Sequence, residues 1–138
     1  MEITEENPFN VRLENAFQIL KAMNQVLDLK LDTLYLHLIS DEDILLVNKT
    51  YLNHDYFTDT ITFDLRDSIS KDAEIFISRD RILENAKQYS SSFDEELCRI
   101  CIHSMLHLAG YSDKSIEEKE KMTRLENKYL QNLFHVKP

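Results

Sequence analysis

The chain carries one glycine, Gly110, in 138 residues, where average usage of about 7% would place nine or ten. Its two prolines, Pro8 and Pro138, stand near the ends. Collagen-like repeats, Gly/Ser linkers, phosphate-cradling glycine loops and dinucleotide fingerprints all need glycine and are excluded. Cysteine is nearly as sparse, and Cys98 with Cys101 cannot make a disulfide framework. No apolar run approaches the ~20 residues of a membrane span. The opening Met1-Glu2-Ile3-Thr4-Glu5-Glu6 is acidic, where a signal peptide needs a basic start and an apolar stretch. Positive charge is also short: 16 Lys and Arg against 25 Asp and Glu leave −9 with the histidines neutral. That balance works against loose attraction to nucleic acid or anionic membrane. Together these absences predict a soluble, reduced, cytoplasmic protein.

What is present suits one domain over residues 1–138. The apolar fraction of 43% is ordinary globular usage, and no repeat, linker or low-complexity tract divides the chain. An opening strand around Ile3 precedes Leu13, Ala16, Phe17, Leu20, Met23 and Leu27 at helical spacing. The leucines of 34–39 alternate as in a strand covered on both faces. Ser40 or Asp41 caps a helix through Ile44, Val47 and Tyr51. In 60–65, Ile61, Phe63 and Leu65 face one way and Thr60, Thr62 and Asp64 the other, as in a half-buried strand. Another strand over 73–78 ends at Ser78, which can cap a helix over 79–89. Ser92 offers a capping box with Glu95, opening a helix to about Ala109. A last helix, 115–133, shows Met122, Leu125, Tyr129, Leu130 and Leu133 as its stripe. The predicted fold class is α/β (α+β): a single small domain, a mixed sheet of three or four strands with about five helices.

The chemistry is concentrated in 96–109, ELCRICIHSMLHLA. At about 100° per residue, His103 and His107 sit within roughly 40° of each other on one face. Glu96 shares that face, with Arg99 beside it, while Cys98 and Cys101 fall nearly opposite and read as buried structural thiols. An i, i+4 histidine pair is also what a merely solvated polar stripe would show. The lone glycine adds to the pair, because glycine just past a helix end takes up the left-handed conformation without a Cβ clash. A sharp turn at Gly110-Tyr111-Ser112 can carry Asp113 back beside the histidines. His103, His107 and Asp113 then supply three ligands with a fourth position open for water, the pattern of a catalytic zinc.

The stretch 103–113, His-Ser-Met-Leu-His-Leu-Ala-Gly-Tyr-Ser-Asp, resembles the YbeY family motif H-G-x-L-H-L-x-G-Y-D-H. Upstream, 48–63 is similar to the family's N-x-x-Y-R-x(5)-T-D-V-L-S-F segment. Glu74-Ile75-Phe76-Ile77-Ser78 resembles its G-D-I-x-I-S strand, and Glu96-Leu97 its E-L before the metal helix. The resemblance covers 48–113 in order. It implies a metal-dependent, single-strand-specific endoribonuclease with a divalent ion, zinc first among candidates. The implied partners are rRNA and the small ribosomal subunit, in 16S rRNA 3′-end maturation and ribosome quality control, with neither DNA nor membrane. It also implies that His103, His107 and Asp113 act through the metal.

Three positions depart from the family pattern. Asp113 stands where the family has a third histidine, and its charge leaves a bound water less acidified than three imidazoles would. Ser104 replaces a glycine. Leu52 replaces an arginine, removing a bidentate phosphate clamp, so Lys49, His54 or Arg99 would have to substitute. The metal would polarise a phosphate oxygen, activate water, or both, and a 2′-OH nucleophile is equally open. A zincin-type protease is weaker, since Ser104 occupies the place of the glutamate in H-E-x-x-H. A two-histidine, one-carboxylate Fe(II) oxygenase is weaker still. The rival from another class is a ribosome-associated assembly or RNA-binding protein with weak or no nuclease activity, favoured by Leu52 and the acidity. Lys49, Arg66, Lys71, Arg79, Arg81 and Arg99 are the candidates for a local basic groove. His37 reads as a satisfied structural histidine, Asp59 as support for the cleft, and His135 as a surface residue.

Overall fold

Short alternating segments bury their apolar side against a long helix, and the sheet they form sets the frame of the molecule. In the computed structural model, which describes residues 1–134, the strands are β1 (Glu2–Glu6), β2 (Thr33–Ile39), β3 (Thr60–Asp64) and β4 (Asp72–Ser78). They form one mixed sheet in the order β1-β2-β4-β3. The β1–β2 and β2–β4 pairs are parallel, and β3 pairs antiparallel with β4, Thr60 opposite Ile77 and Asp64 opposite Ala73. The helices are α1 (Glu14–Val26), α2 (Asp41–Leu52), α3 (Arg79–Gln88), α4 (Phe93–Leu108) and α5 (Ile116–Leu133). This is the small α/β domain expected. His135 lies outside the described residues.

Leu34, Leu36 and Leu38 of β2 and Ala73, Ile75 and Ile77 of β4 point to one face, into a core shared with α1, α4 and α5. Each fully buried leucine or isoleucine there stabilises the fold by roughly 1.5–3 kcal/mol. A smaller core of Ile39, Ile44 and Ile61, with Val47, Phe63 and Phe76 against it, lies under α2. The expectation that β2 is covered on both faces is therefore corrected. Thr33, Tyr35 and His37 are only half-buried, because α2 covers a limited part of that side. His37 is satisfied there, as expected. Its Nδ1 lies 2.7 Å from Glu6 Oε1, its Nε2 2.7 Å from Glu74 Oε2, and its ring stacks 4.2 Å from Phe76.

Serine starts four of the helices. Ser40, Ser78 and Ser92 accept from the backbone N–H of Asp43, Arg81 and Glu95 at 3.1, 3.2 and 3.0 Å, each cap contributing about 1 kcal/mol. The capping box expected at Ser92 is only half formed; the reciprocal box is at Ser115 and Glu118, opening α5. With one glycine available, most left-handed corners are made by other residues: Asn10, Asp28, Lys30, Asn53 and Ser90 have positive φ. Asparagine and aspartate tolerate this conformation through local hydrogen bonds of their short side chains. Among the described residues no helix is long and apolar enough to cross a membrane.

Candidate metal centre and its cleft

Helix α4 is buried along most of its length, and its polar stripe emerges between β3 and α5. His103 and His107, one turn apart, bring their Nε2 atoms to 3.0 Å. Beyond them the helix ends in a Schellman turn. Gly110, at φ +98°, donates its N–H to the His107 carbonyl at 3.0 Å, and Tyr111 donates to the Leu106 carbonyl at 3.1 Å. The turn carries Asp113 back until its Oδ2 lies 3.5 Å from His103 Nε2 and 3.4 Å from His107 Nε2. All three donors fall within 4.8 Å of one another. Tetrahedral zinc, with ligand bonds of ~2.0–2.2 Å, needs donors about 3.3–3.6 Å apart. Two edges of the donor triangle, 3.4 and 3.5 Å, fall in that range and the edge between the histidines, 3.0 Å, is slightly shorter; two imidazoles and one carboxylate suit a first-row divalent metal.

A fourth residue completes the centre and was not foreseen. Glu126 of α5 places Oε2 2.8 Å from His103 Nδ1. A carboxylate on that nitrogen makes Nδ1 the protonated donor and leaves Nε2 turned toward His107 and Asp113, the arrangement that orients metal-binding histidines. Burial works to lower the His103 pKa, but the Glu126 bond and charge, joined by Asp113 and Asp59, raise it above the ordinary value. Glu126 is in turn held by Arg99, whose Nη1 lies 3.8 Å from its Oε1 and donates to Asn127 Oδ1 at 2.7 Å. The available signal was a glutamate one turn after Met122 and next to Leu125, on the inward flank of α5.

The centre opens into a cleft of about 1250 Å³. The polar face of β3 lines one wall, with Thr60 at its base donating to the Phe76 carbonyl at 2.9 Å and lying 3.2 Å from Ser104 Oγ. Ser104 is fully buried, so a small residue after His103 lets α4 approach β3 closely. Asp59 supports this wall as expected. Its carbonyl accepts from Ser78 N–H at 2.9 Å, and its Oδ2 accepts from Asn85 at 3.3 Å. Of the residues considered as substitutes for the family arginine, His54 and Arg99 line the cleft beside Leu52, whereas Lys49 does not and pairs with Asp55 at 3.2 Å.

Among the described residues no basic groove forms along the cleft. Arg66 clamps Asp64 and donates to the Leu108 carbonyl at 2.6 Å. Arg81 bonds Asp41, and Arg79 sits over Phe9 near Asp80. Neither these three nor Lys71 line the cleft, which instead presents Asp59, Asp64, Glu95, Glu96, Asp113 and Glu126 against Arg99 and Lys114. Cys98 and Cys101 are fully buried on the opposite side of α4. Burial pushes the Cys101 thiol up to about 12 and the Cys98 thiol in the same direction, which leaves both unreactive.

The family model described as Endoribonuclease YbeY matches residues 2–134. Among curated relatives, an endoribonuclease YbeY of Bacteroides thetaiotaomicron is 50% identical over 91 residues, covering 66% of this chain and 66% of that protein. One of Chloroherpeton thalassium is 48% identical over 89 residues, covering 64% of this chain and 63% of that protein. The matches thus span just under two thirds of these relatives' length. The solution structure of TM1509 from Thermotoga maritima is similar with a TM-score of 0.68 at 26% identity, covering 96% of this chain and 88% of that one.

Proposed function

The chain belongs to the endoribonuclease YbeY family, and on that premise we propose that it is a metal-dependent endoribonuclease acting on single-stranded RNA. His103, His107 and Asp113 are its metal ligands in this reading, and Zn²⁺ the metal. The observation that supports it most directly is the donor triangle with edges of 3.0, 3.4 and 3.5 Å at the head of an open cleft. A divalent ion held there supplies Lewis-acid stabilisation of a phosphate oxygen and an acidified water. Glu126 fixes the His103 ring for that role. Arg99 and His54, on the cleft wall, are the groups able to meet phosphate charge where Leu52 cannot.

The substrate is rRNA of the small ribosomal subunit, in 16S 3′-end maturation and ribosome quality control. The protein works in the cytoplasm as one domain over 1–138, with no membrane or DNA partner. With few cations facing the cleft, binding rests on the metal and on specific contacts, so its salt dependence should be shallow. The names of the relatives favour the nuclease over a ribosome-associated assembly or RNA-binding protein.

The test is metal analysis of the purified chain together with cleavage of a single-stranded RNA by wild type and His107→Ala. About one zinc per chain is expected. Cleavage should fall at least 100-fold in the variant, beyond the ~10–100-fold typical of losing an outer partner of a metal ligand. Stoichiometric metal without cleavage would overturn the nuclease and favour the binding protein.

A further inference from the structure

An RNA strand brings one negative charge with each phosphate, yet six carboxylates line this cleft against two cations, Arg99 and Lys114, among the described residues. The two cations differ in what they already hold. Arg99 donates to Asn127 Oδ1 at 2.7 Å and stands 3.8 Å from Glu126 Oε1, so its charge is shared with the wall. His54, on the same wall, has Nδ1 2.9 Å from the Tyr56 hydroxyl. Lys114 is exposed, and its ammonium makes no hydrogen bond or ion pair among the described residues. Glu118, at the start of α5, is drawn into the capping box instead. Its pKa is lowered first by hydrogen bonds with Ser115 and last by the charge of Lys114.

The place of Lys114 follows from the turns on either side of it. The Schellman turn at Gly110 and Tyr111 fixes the chain before Asp113, and the capping box of Ser115 with Glu118 fixes it after Lys114. Between them the Lys114 N–H donates to Ser112 Oγ at 3.4 Å. The backbone that delivers Asp113 to the histidines therefore sets Lys114 beside the centre. A lysine carries a compact cation with three donors on a flexible stem, and meets a phosphate oxygen as a point charge. With the backbone already held, binding has only that stem to order. Lys119, also exposed and in the first turn of α5, does not line the cleft. Position, and not charge alone, sets Lys114 apart.

We propose that Lys114 is a substrate-binding residue, its ammonium donating to a phosphate oxygen of single-stranded RNA beside the metal. The contact supplies a charge that Leu52 does not. It rests on the RNA-cleaving function proposed above and names a further residue through which the strand is held.

The experiment measures binding of a labelled single-stranded RNA to the zinc-free full chain across a salt series, and its cleavage by the zinc-loaded chain. At low salt Lys114→Gln should weaken binding about fivefold, the upper end for an exposed ion pair. Its salt slope should fall by about 0.7, the loss of one phosphate contact on a single strand. Lys114→Arg should restore both. Lys119→Gln removes the same charge away from the cleft and should change neither, and all three variants should melt with wild type. In cleavage by Lys114→Gln, KM should rise by the same factor with kcat unchanged, as for a contact made equally in the ground and transition states. Binding by Lys114→Gln unchanged from wild type, an equal loss in Lys119→Gln, or a fall in kcat with KM unmoved would overturn the contact. Lys114-dependent binding without cleavage removes the nuclease and leaves the contact; His107-dependent cleavage with KM unmoved in Lys114→Gln removes the contact and leaves the nuclease.

Discussion

At the C-terminal end of α4, His103, His107, Asp113 and Glu126 satisfy one another, whereas two turns earlier Glu96 lines the same cleft with no side-chain hydrogen bond among the described residues. The first end holds its shape through contacts between side chains of α4, its following turn and α5. At the second, the Glu96 carboxylate meets the open cleft with no side chain bonded to it. Proximity to a shared cleft thus says little about role. What separates the two ends is whether each polar group already has its hydrogen bonds. The third surface of the same helix, with Cys101, Ile102 and Met105 wholly buried, contributes stability and no chemistry.

The sharpest way to break this division is on the buried side. Ile102→Ala should cost about 2–5 kcal/mol, read from urea unfolding, while the zinc affinity of the still-folded molecules stays at the wild-type value. A parallel loss of affinity would show that core and centre are not separable. Glu126→Gln should act the other way round, weakening zinc by about 10–100-fold in a chelator competition with little change in melting temperature.

The smallest effect belongs to the unpartnered end. The folded-state pKa of Glu96 is raised above its ordinary 4.5, so its contribution to stability is fully present below that value and lost as pH rises through the folded pKa. Glu96→Gln should therefore stabilise the chain at pH 8 by about 1 kcal/mol, and the gain should vanish in melts below pH 4.5. A gain that persists in acid would mean that charge burial is not its cause.

The parts legible from sequence were those fixed by local backbone geometry. His103 and His107 follow from helical period, and Asp113 from where a glycine can end a helix. Ser40, Ser78 and Ser92 announced their helices for the same reason. Glu126 escaped notice because its partner is 23 residues away on another helix, and no periodicity encodes that meeting. Glu96 was placed on the correct face, but meeting the cleft without a side-chain hydrogen bond is a property of the assembled walls. The half-buried reading of β3 holds, and its polar face, Thr60, Thr62 and Asp64, forms cleft wall. Arg66, Arg79 and Arg81 were candidates for a basic groove, and whether they gather was not legible from sequence; in the fold each meets an acidic neighbour.

The Schellman turn also bears on how this centre can vary through evolution. Asp113 is delivered by backbone hydrogen bonds of Gly110 and Tyr111, not by packing of its own side chain, which remains partly exposed. The position can therefore carry either aspartate or histidine as a donor without a change in the backbone. It has no comparable freedom in spacing. Adding or deleting a single residue between Gly110 and Asp113 would swing the third donor away from the pair, so such chains should be rarer among functional relatives than exchanges of the ligand itself.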